Sequence, residues 1–274
     1  MGSPTISIPG GESFNLKVYG NATVLAGDGN DTVNITGNGK IIIGDGNDRL
    51  TIGKNGTVRA GSGNDKITIK GDGKITVGGG NDTINLYGDG TIHQYGKHGH
   101  DTINLGSGND TIFEQGRASV YGSFGSATIS GGELQVTHSH GETEVSALSG
   151  SATLVGGAGP QEFVGGTGDV VMKGGHGKDT LIGGSGHDTM TGGSGRDLFE
   201  FVWAGKGGEH LIKDFVHGQD KLYLEGHSLS YLESHNAIST HGGNTFISLD
   251  GGQTTVELKG VTHLSDSDIT THKS

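Results

Sequence analysis

The chain contains no cysteine, so neither a disulfide framework nor thiolate chemistry is available to it. Proline occurs 3 times, and aromatic residues make up only 5%. With so few prolines and no triplet period, a collagen helix is excluded. Hydrophobic residues reach just 30%, which is thin for a compact globular core. It suits a solenoid, in which each coil buries a narrow strip. No apolar run approaches the ~18 residues of a membrane helix. Residues 1–25 show no basic-then-apolar export leader. Positive charge is scarce too: 18 Lys and Arg stand against 30 Asp and Glu, a net charge of −12. Nucleic acid and anionic membrane are therefore poor partners, and cations are good ones. The chain also lacks G-x-S-x-G, H-E-x-x-H, P-loop and G-x-G-x-x-G motifs, and it reads as a non-enzyme.

Glycine is abundant, at 57 residues, and it is periodic. Residues 27–43 read GDGNDTVNITGNGKIII, residues 44–60 GDGNDRLTIGKNGTVRA, residues 61–77 GSGNDKITIKGDGKITV and residues 78–94 GGGNDTINLYGDGTIHQ. Each unit has one glycine turn that ends in Asp and one that does not. A short alternating strand such as Thr32-Val33-Asn34-Ile35 follows each turn. Period two marks a strand with one buried face. Two strands and two turns per seventeen residues make one coil of a flattened parallel β-solenoid, with coils stacked about 4.8 Å apart. Spacing loosens after Asp82: the next Asp turns end at Asp101 and Asp110.

From Gly156 the period is nine: GGAGPQEFV, GGTGDVVMK, GGHGKDTLI, GGSGHDTMT and GGSGRDLFE. The pattern Gly-Gly-x-Gly-x-Asp-x-apolar-x is a calcium-binding β-helix repeat. One inward residue per nonamer (Phe163, Met172, Leu181, Met190, Phe199) predicts a narrower core than in the first array. The expected layout is N-terminal strands over 1–25, the seventeen-residue array over 26–115 and divergent calcium-free coils over 116–155. The nonapeptide array over 156–200 and a C-terminal cap over 201–274, with a short helix near SLSYLESHNAI, complete it.

Calcium takes six to eight oxygens from carboxylates and carbonyls. One turn cannot supply them, but two turns stacked on the same edge can. The expected pairs are Asp31 with Asp48, Asp48 with Asp65, Asp65 with Asp82, Asp82 with Asp101, Asp179 with Asp197, and Asp188 with the loop holding Asp169. Asp110 has no partner turn on its own edge. Candidate carbonyl donors are Gly27, Gly29, Gly44, Gly46, Gly61, Gly63, Gly78 and Gly80 in the first array. Those in the second are Gly175, Gly177, Gly184, Gly186, Gly193 and Gly195. The opposite edge, with turns such as Gly37-Asn38-Gly39 and Gly71-Asp72-Gly73, is expected to bind no metal. Carboxylates about 4.8 Å apart repel by ~3 kcal/mol per neighbour at an effective dielectric of 20. Calcium binding and folding are thus expected to be one event.

The nonamers of 156–200, followed by Ile212-Lys213-Asp214-Phe215 and Gly218-x-Asp220-Lys221-Leu222, resemble the RTX family, the haemolysin-type calcium-binding repeat proteins of Gram-negative bacteria. The resemblance is close over 156–274 and looser over 26–115, where the repeat is nine plus eight. It implies an all-β fold, a parallel β-roll that folds on binding several calcium ions. It also implies type I secretion and an extracellular or cell-surface location. The chain departs from the pattern at Gln161, which stands where Asp belongs, and at Asp169, which sits one position early with Val170 in the Asp position.

Two histidine pairs, His98/His100 and His138/His140, sit at i, i+2 spacing. They could chelate zinc, nickel or copper, or be solvated polar residues. The outward column Asn34, Thr51, Thr68, Asn85, Asn104 forms a polar ladder that could meet a saccharide or ice surface or simply face water, and the charges of Arg49 and Lys66 in the neighbouring column count against ice. The leading expectation is a structural or surface-associated role of adhesin, matrix or S-layer type, with self-association. The alternative is a polysaccharide-binding accessory module of an extracellular enzyme.

Overall fold

A computed structural model describes residues 3–96, 99–122, 126–138, 142–147, 150–201 and 207–272. The protein is all-β, 56% strand and 5% helix, and forms a parallel β-solenoid of about ten turns. No helix among the described residues is long and apolar enough to cross a membrane. The chain divides into two compact units, Met1–Gly132 and Glu133–Ser274.

In the first unit each strand pairs in parallel with the strand one full coil away. Thr5–Ile8 already pairs with Ala22–Ala26, and Asn15–Val18 with Thr32–Ile35. The register brings equivalent residues of successive repeats into columns. Val33, Leu50, Ile67, Ile84 and Ile103 form one. Val24, Ile41, Val58, Ile75 and Ile92 form another across the core. All ten are buried. Their β-branched and Leu side chains suit a pleated, half-buried surface. Burying each contributes about 1.5–3 kcal/mol.

Glycine is what lets the coils approach. Gly46 has φ +148°, and a Cβ placed on it would lie 1.9 Å from the carbonyl oxygen of Gly29. Gly63 over Gly46 and Gly80 over Gly63 repeat the contact, at 1.8 and 2.0 Å. No other residue fits such a position, which excludes a side chain and also requires positive φ.

In the second unit the coil is eighteen residues long. Phe163, Leu181, Phe199 and Leu222 stack in one column, and Leu154, Met172, Met190 and Ile212 in the other. All are fully buried. The inward position of each nonamer is filled by a large side chain, while Gly165, Gly174, Gly183 and Gly192 occupy the buried position two residues on. Parallel pairing continues past the last nonamer: Gly208–Ile212 pairs with His187–Gly195, and Lys221–Leu224 with Leu198–Phe201. Among the described residues, antiparallel pairing enters with Ile238–His241, Asn244–Leu249 and Thr254–Leu258. The expected short helix spans Leu229–Ser234, with the Ser228 side chain accepting from the Tyr231 N–H. This N-cap satisfies one of the helix's free donors.

Gly46→Ala should lower stability in calcium by at least about 2 kcal/mol, from strain plus overlap with the neighbouring coil. Thr57→Ala, on the exposed face, should stay within about 0.5 kcal/mol. Thermal melts of both variants check the difference.

Candidate metal centre

Three side-chain rows run along the Asp-bearing turns of the first unit. The innermost is Asp31, Asp48, Asp65, Asp82 and Asp101, all buried. Each carboxylate reaches back one coil. Oδ1 of Asp48 accepts the main-chain N–H of Asp31 at 2.9 Å, Asp65 that of Asp48 at 2.9 Å, and Asp82 that of Asp65 at 2.8 Å. Asp101 does the same for Asp82 at 2.8 Å, although nineteen residues rather than seventeen separate them. The five predicted residues are therefore brought into a single file.

The two outer rows run the opposite way along the chain. Asn30 Oδ1 accepts the N–H of Asn47, Asn47 that of Asn64, and Asn64 that of Asn81, each at 2.7 Å. Asp28 accepts from Asp45, and Asp45 from Ser62. These rows are exposed, and sequence reasoning missed them. The Asn that precedes Asp31, Asp48, Asp65 and Asp82 was the available signal. On the opposite edge the side chains of Asn21, Asn38, Asn55 and Asp72 cap the next coil's N–H in the same manner.

What sets the inner row apart is its second oxygen. Oδ2 of Asp31, Asp48, Asp65, Asp82 and Asp101 is buried with no hydrogen-bond partner. Leaving such an atom unpartnered costs about 1–3 kcal/mol, more when it is charged. Burial pushes the carboxyls up, to about 6 for Asp48 and Asp101 and about 7 for Asp65 and Asp82. Repulsion from the neighbouring carboxylates adds to the rise at Asp48, Asp65 and Asp82.

The glycine carbonyls fall into two classes. Those of Gly27, Gly44 and Gly61 accept the N–H of the equivalent glycine one coil on, at 3.0–3.1 Å. Those of Gly29, Gly46, Gly63 and Gly80 lie beneath the next coil's glycine. No hydrogen bond from a described residue ends on this second class. Among the described residues no group of three or more His, Asp or Glu side chains forms a chelate. A cation here would draw on one carboxylate per turn plus carbonyls, the hard all-oxygen donor set of calcium. The orphaned Oδ2 atoms and unspent carbonyls fit that ion. When bound, it would supply the positive charge that the row lacks.

The second unit repeats the arrangement with one row closed. Gln161 N–H donates to Asp179 Oδ1 at 2.9 Å, and Asp179 N–H to Asp197 Oδ1 at 3.0 Å. Oδ2 of both Asp179 and Asp197 is orphaned. The row then continues to Asp220, whose Oδ1 accepts from Asp197 N–H at 3.0 Å. Asp220 lies twenty-three residues on and escapes the nonamer period. Its signal is Gly218-Gln219-Asp220-Lys221-Leu222, which repeats the Gly-x-Asp-x-apolar end of a nonamer. Asp214, also missed, receives the N–H groups of Gly192 and Gly193.

Two predicted residues sit differently. Asp169 is exposed and accepts the N–H of His187 at 2.9 Å. Its place corresponds to the outer Asn row, and the buried position belongs to Val170. Asp188 accepts from Val170 N–H at 3.0 Å, as a row member should, but its Oδ2 is already spent. It receives Gly184 N–H at 3.2 Å and lies 3.0 Å from Nδ1 of the buried His210. The carbonyls of Gly186 and Gly195 are taken by Glu209 N–H and the Gln219 side chain. Asp110 lies on the opposite edge, in register with Gly90, with both carboxylate oxygens buried and unpartnered. Of the histidine pairs, His98, His140 and the side chain of His138 lie outside the described residues. His100 Nε2 contacts Ser119 Oγ at 2.7 Å.

The family model of the RTX calcium-binding nonapeptide repeat matches the chain in four copies, over residues 95–113, 155–190 and 164–199. No curated protein matches it.

The raised carboxyls set a pH dependence for the metal-free coil. An acid whose folded value is raised from 3.8 to about 6–7 binds more protons folded than unfolded. Its contribution is greatest below about 4 and is lost as pH rises through 7. In chelator, far-UV circular dichroism should therefore show more β-structure at pH 5 than at pH 8. A loss of β signal on acidification would contradict this.

Proposed function

The chain is an RTX-repeat protein, and from that premise we propose that it is an extracellular calcium-responsive scaffold. It leaves the cell as an unfolded chain by type I secretion and folds where calcium is plentiful. Asp31, Asp48, Asp65, Asp82 and Asp101 bind ions in the gaps between turns of the first array, and Asp179 and Asp197 do so in the second. Carbonyls such as those of Gly29, Gly46 and Gly63 complete the shells. The observation that carries this reading is the file of buried carboxylates, each with one oxygen bonded to the previous coil and the other without a partner. In a cell interior poor in calcium the row repels itself and the coil does not close. Affinity in the range of about 10⁻⁴–10⁻³ M, typical of extracellular calcium modules, suits such a switch. The role is structural and surface-associated, of adhesin, matrix or S-layer type. The folded array is a stiff, calcium-dependent spacer rather than a catalyst.

One observation favours a polysaccharide-binding role beside it. Tyr95 and Phe113 stand more than half exposed on either side of His93, whose ring lies 5.7 Å from that of Phe113 and 6.0 Å from that of Tyr95. Exposed aromatic clusters mark interaction surfaces. Saturable glycan-array binding in calcium, abolished by Tyr95→Ala, would support that role, and no binding would remove it.

Each inner Asp borders two gaps. Asp65→Asn should therefore reduce bound calcium by about two ions per chain, and Asp169→Asn by none, as read by equilibrium dialysis. Equal losses in the two variants would refute the assignment.

A further inference from the structure

The inner row of the first unit ends abruptly. Asp101 is in parallel register with Ala118, so the position that carries Asp in five turns carries a buried methyl group in the next. The turn containing Ala118 begins at Glu114, the last inward residue before the corner. The column beneath Glu114 is apolar at Ile43, Ala60 and Val77, all buried, and turns polar at Gln94. Nothing in strand packing calls for that change, since every earlier coil fills the place with an aliphatic side chain.

Glu114 is only 3% exposed. Its Oε1 accepts the N–H of Gly116 at 2.8 Å, and its Oε2 is buried without a partner. This carboxyl is pushed up to about 8, chiefly by burial, with the charges of Asp101 and Asp82 contributing in the same direction. Glu114 thus feels the same turns that hold the end of the aspartate row. Gln94, directly below it, reaches into the Asp82 turn and donates Nε2 to the Gly78 carbonyl at 3.1 Å, leaving its own Oε1 orphaned. Four buried, unpartnered oxygens therefore lie on the last two coils of the row: Asp82 Oδ2 and Gln94 Oε1 on one, Asp101 Oδ2 and Glu114 Oε2 on the next. The side chains alone form no chelate. As in the repeats, each coil contributes one carboxylate and the carbonyls supply the rest.

We propose that Glu114 is a calcium ligand outside the repeat motif, closing the last metal gap of this unit from the near side of the turn in place of the aspartate absent at 118. Gln94 is its neutral companion one coil below. The inference rests on the calcium reading above and adds to it a terminal site that no repeat pattern marks.

Calcium bound per full-length chain at saturation, by equilibrium dialysis, tests it. Four proteins are compared: the unaltered chain, Glu114→Gln, Glu114→Gln with Ala118→Asp, and Asp28→Asn as an exposed control. Glu114→Gln keeps the acceptor for Gly116 and removes the carboxylate. It should bind one ion fewer, or bind its weakest ion at least tenfold more weakly. Ala118→Asp should restore that ion, and Asp28→Asn should match the unaltered chain. If Glu114→Gln binds as many ions with unchanged affinities, the inference is wrong, while the repeat sites stand. If the unaltered chain binds no calcium, the parent reading fails as well. Should Glu114→Gln not fold in calcium, recovery of folding and ion count by Ala118→Asp supports the site, and failure to recover overturns it.

Discussion

Everything in this protein depends on how one carboxylate is shared. In the first unit each inner aspartate accepts with Oδ1 a main-chain N–H one coil back, that of Phe14 for Asp31 and of the preceding aspartate for the others, and keeps Oδ2 buried and unpaired. The first oxygen fixes the stacking register. The second makes that register costly unless a cation arrives. The backbone hydrogen bonds of the strands and the narrow apolar columns hold coils together. They cannot by themselves offset a file of buried acids together with the conformational entropy of so many glycines. Calcium, a hard ion that accepts carboxylate and carbonyl oxygen together, would answer both the charge and the missing partners.

The outer rows solve a different problem. Asn30, Asn47 and Asn64 cap the N–H groups of the next coil from the solvent side, as Asn21, Asn38 and Asn55 do on the opposite edge. Both edges of the first unit are therefore laced by side-chain amides. The edge with the inner aspartates retains a continuous file of unpaired buried oxygens, whereas on the opposite edge Asp110 alone among the described acids is left so. Turns with and without an inner aspartate can alternate along one coil because the two kinds of row are independent. The exposed amide satisfies backbone, and the buried carboxylate satisfies backbone and leaves one lone oxygen over.

Much of this was legible from periodicity. Strands, coil length and the pairing of Asp31 through Asp101 follow from a seventeen-residue repeat, because parallel stacking turns equal spacing into spatial adjacency. The same logic failed where spacing and register part. Asp169 is one residue early, and that single step moves its side chain from the buried row to the exposed one, since successive strand residues face opposite ways. Asp188 kept its place in the row, but Gly184 N–H already takes its second oxygen, and His210 of the neighbouring coil lies 3.0 Å from that oxygen. Asp220 and Glu114 were invisible to the period because one lies beyond the last nonamer and the other on the far side of a turn. Their roles depend on which column they enter, and only the register shows that.

The central claim is that calcium, by neutralising the aspartate file, holds the coil closed. Far-UV circular dichroism at pH 7.5, titrated with calcium and then with chelator, tests it most directly. The account predicts little β-structure without calcium, a cooperative rise toward about 10⁻⁴–10⁻³ M, and reversal by chelator. A folded β signal that persists unchanged in chelator at that pH would contradict it.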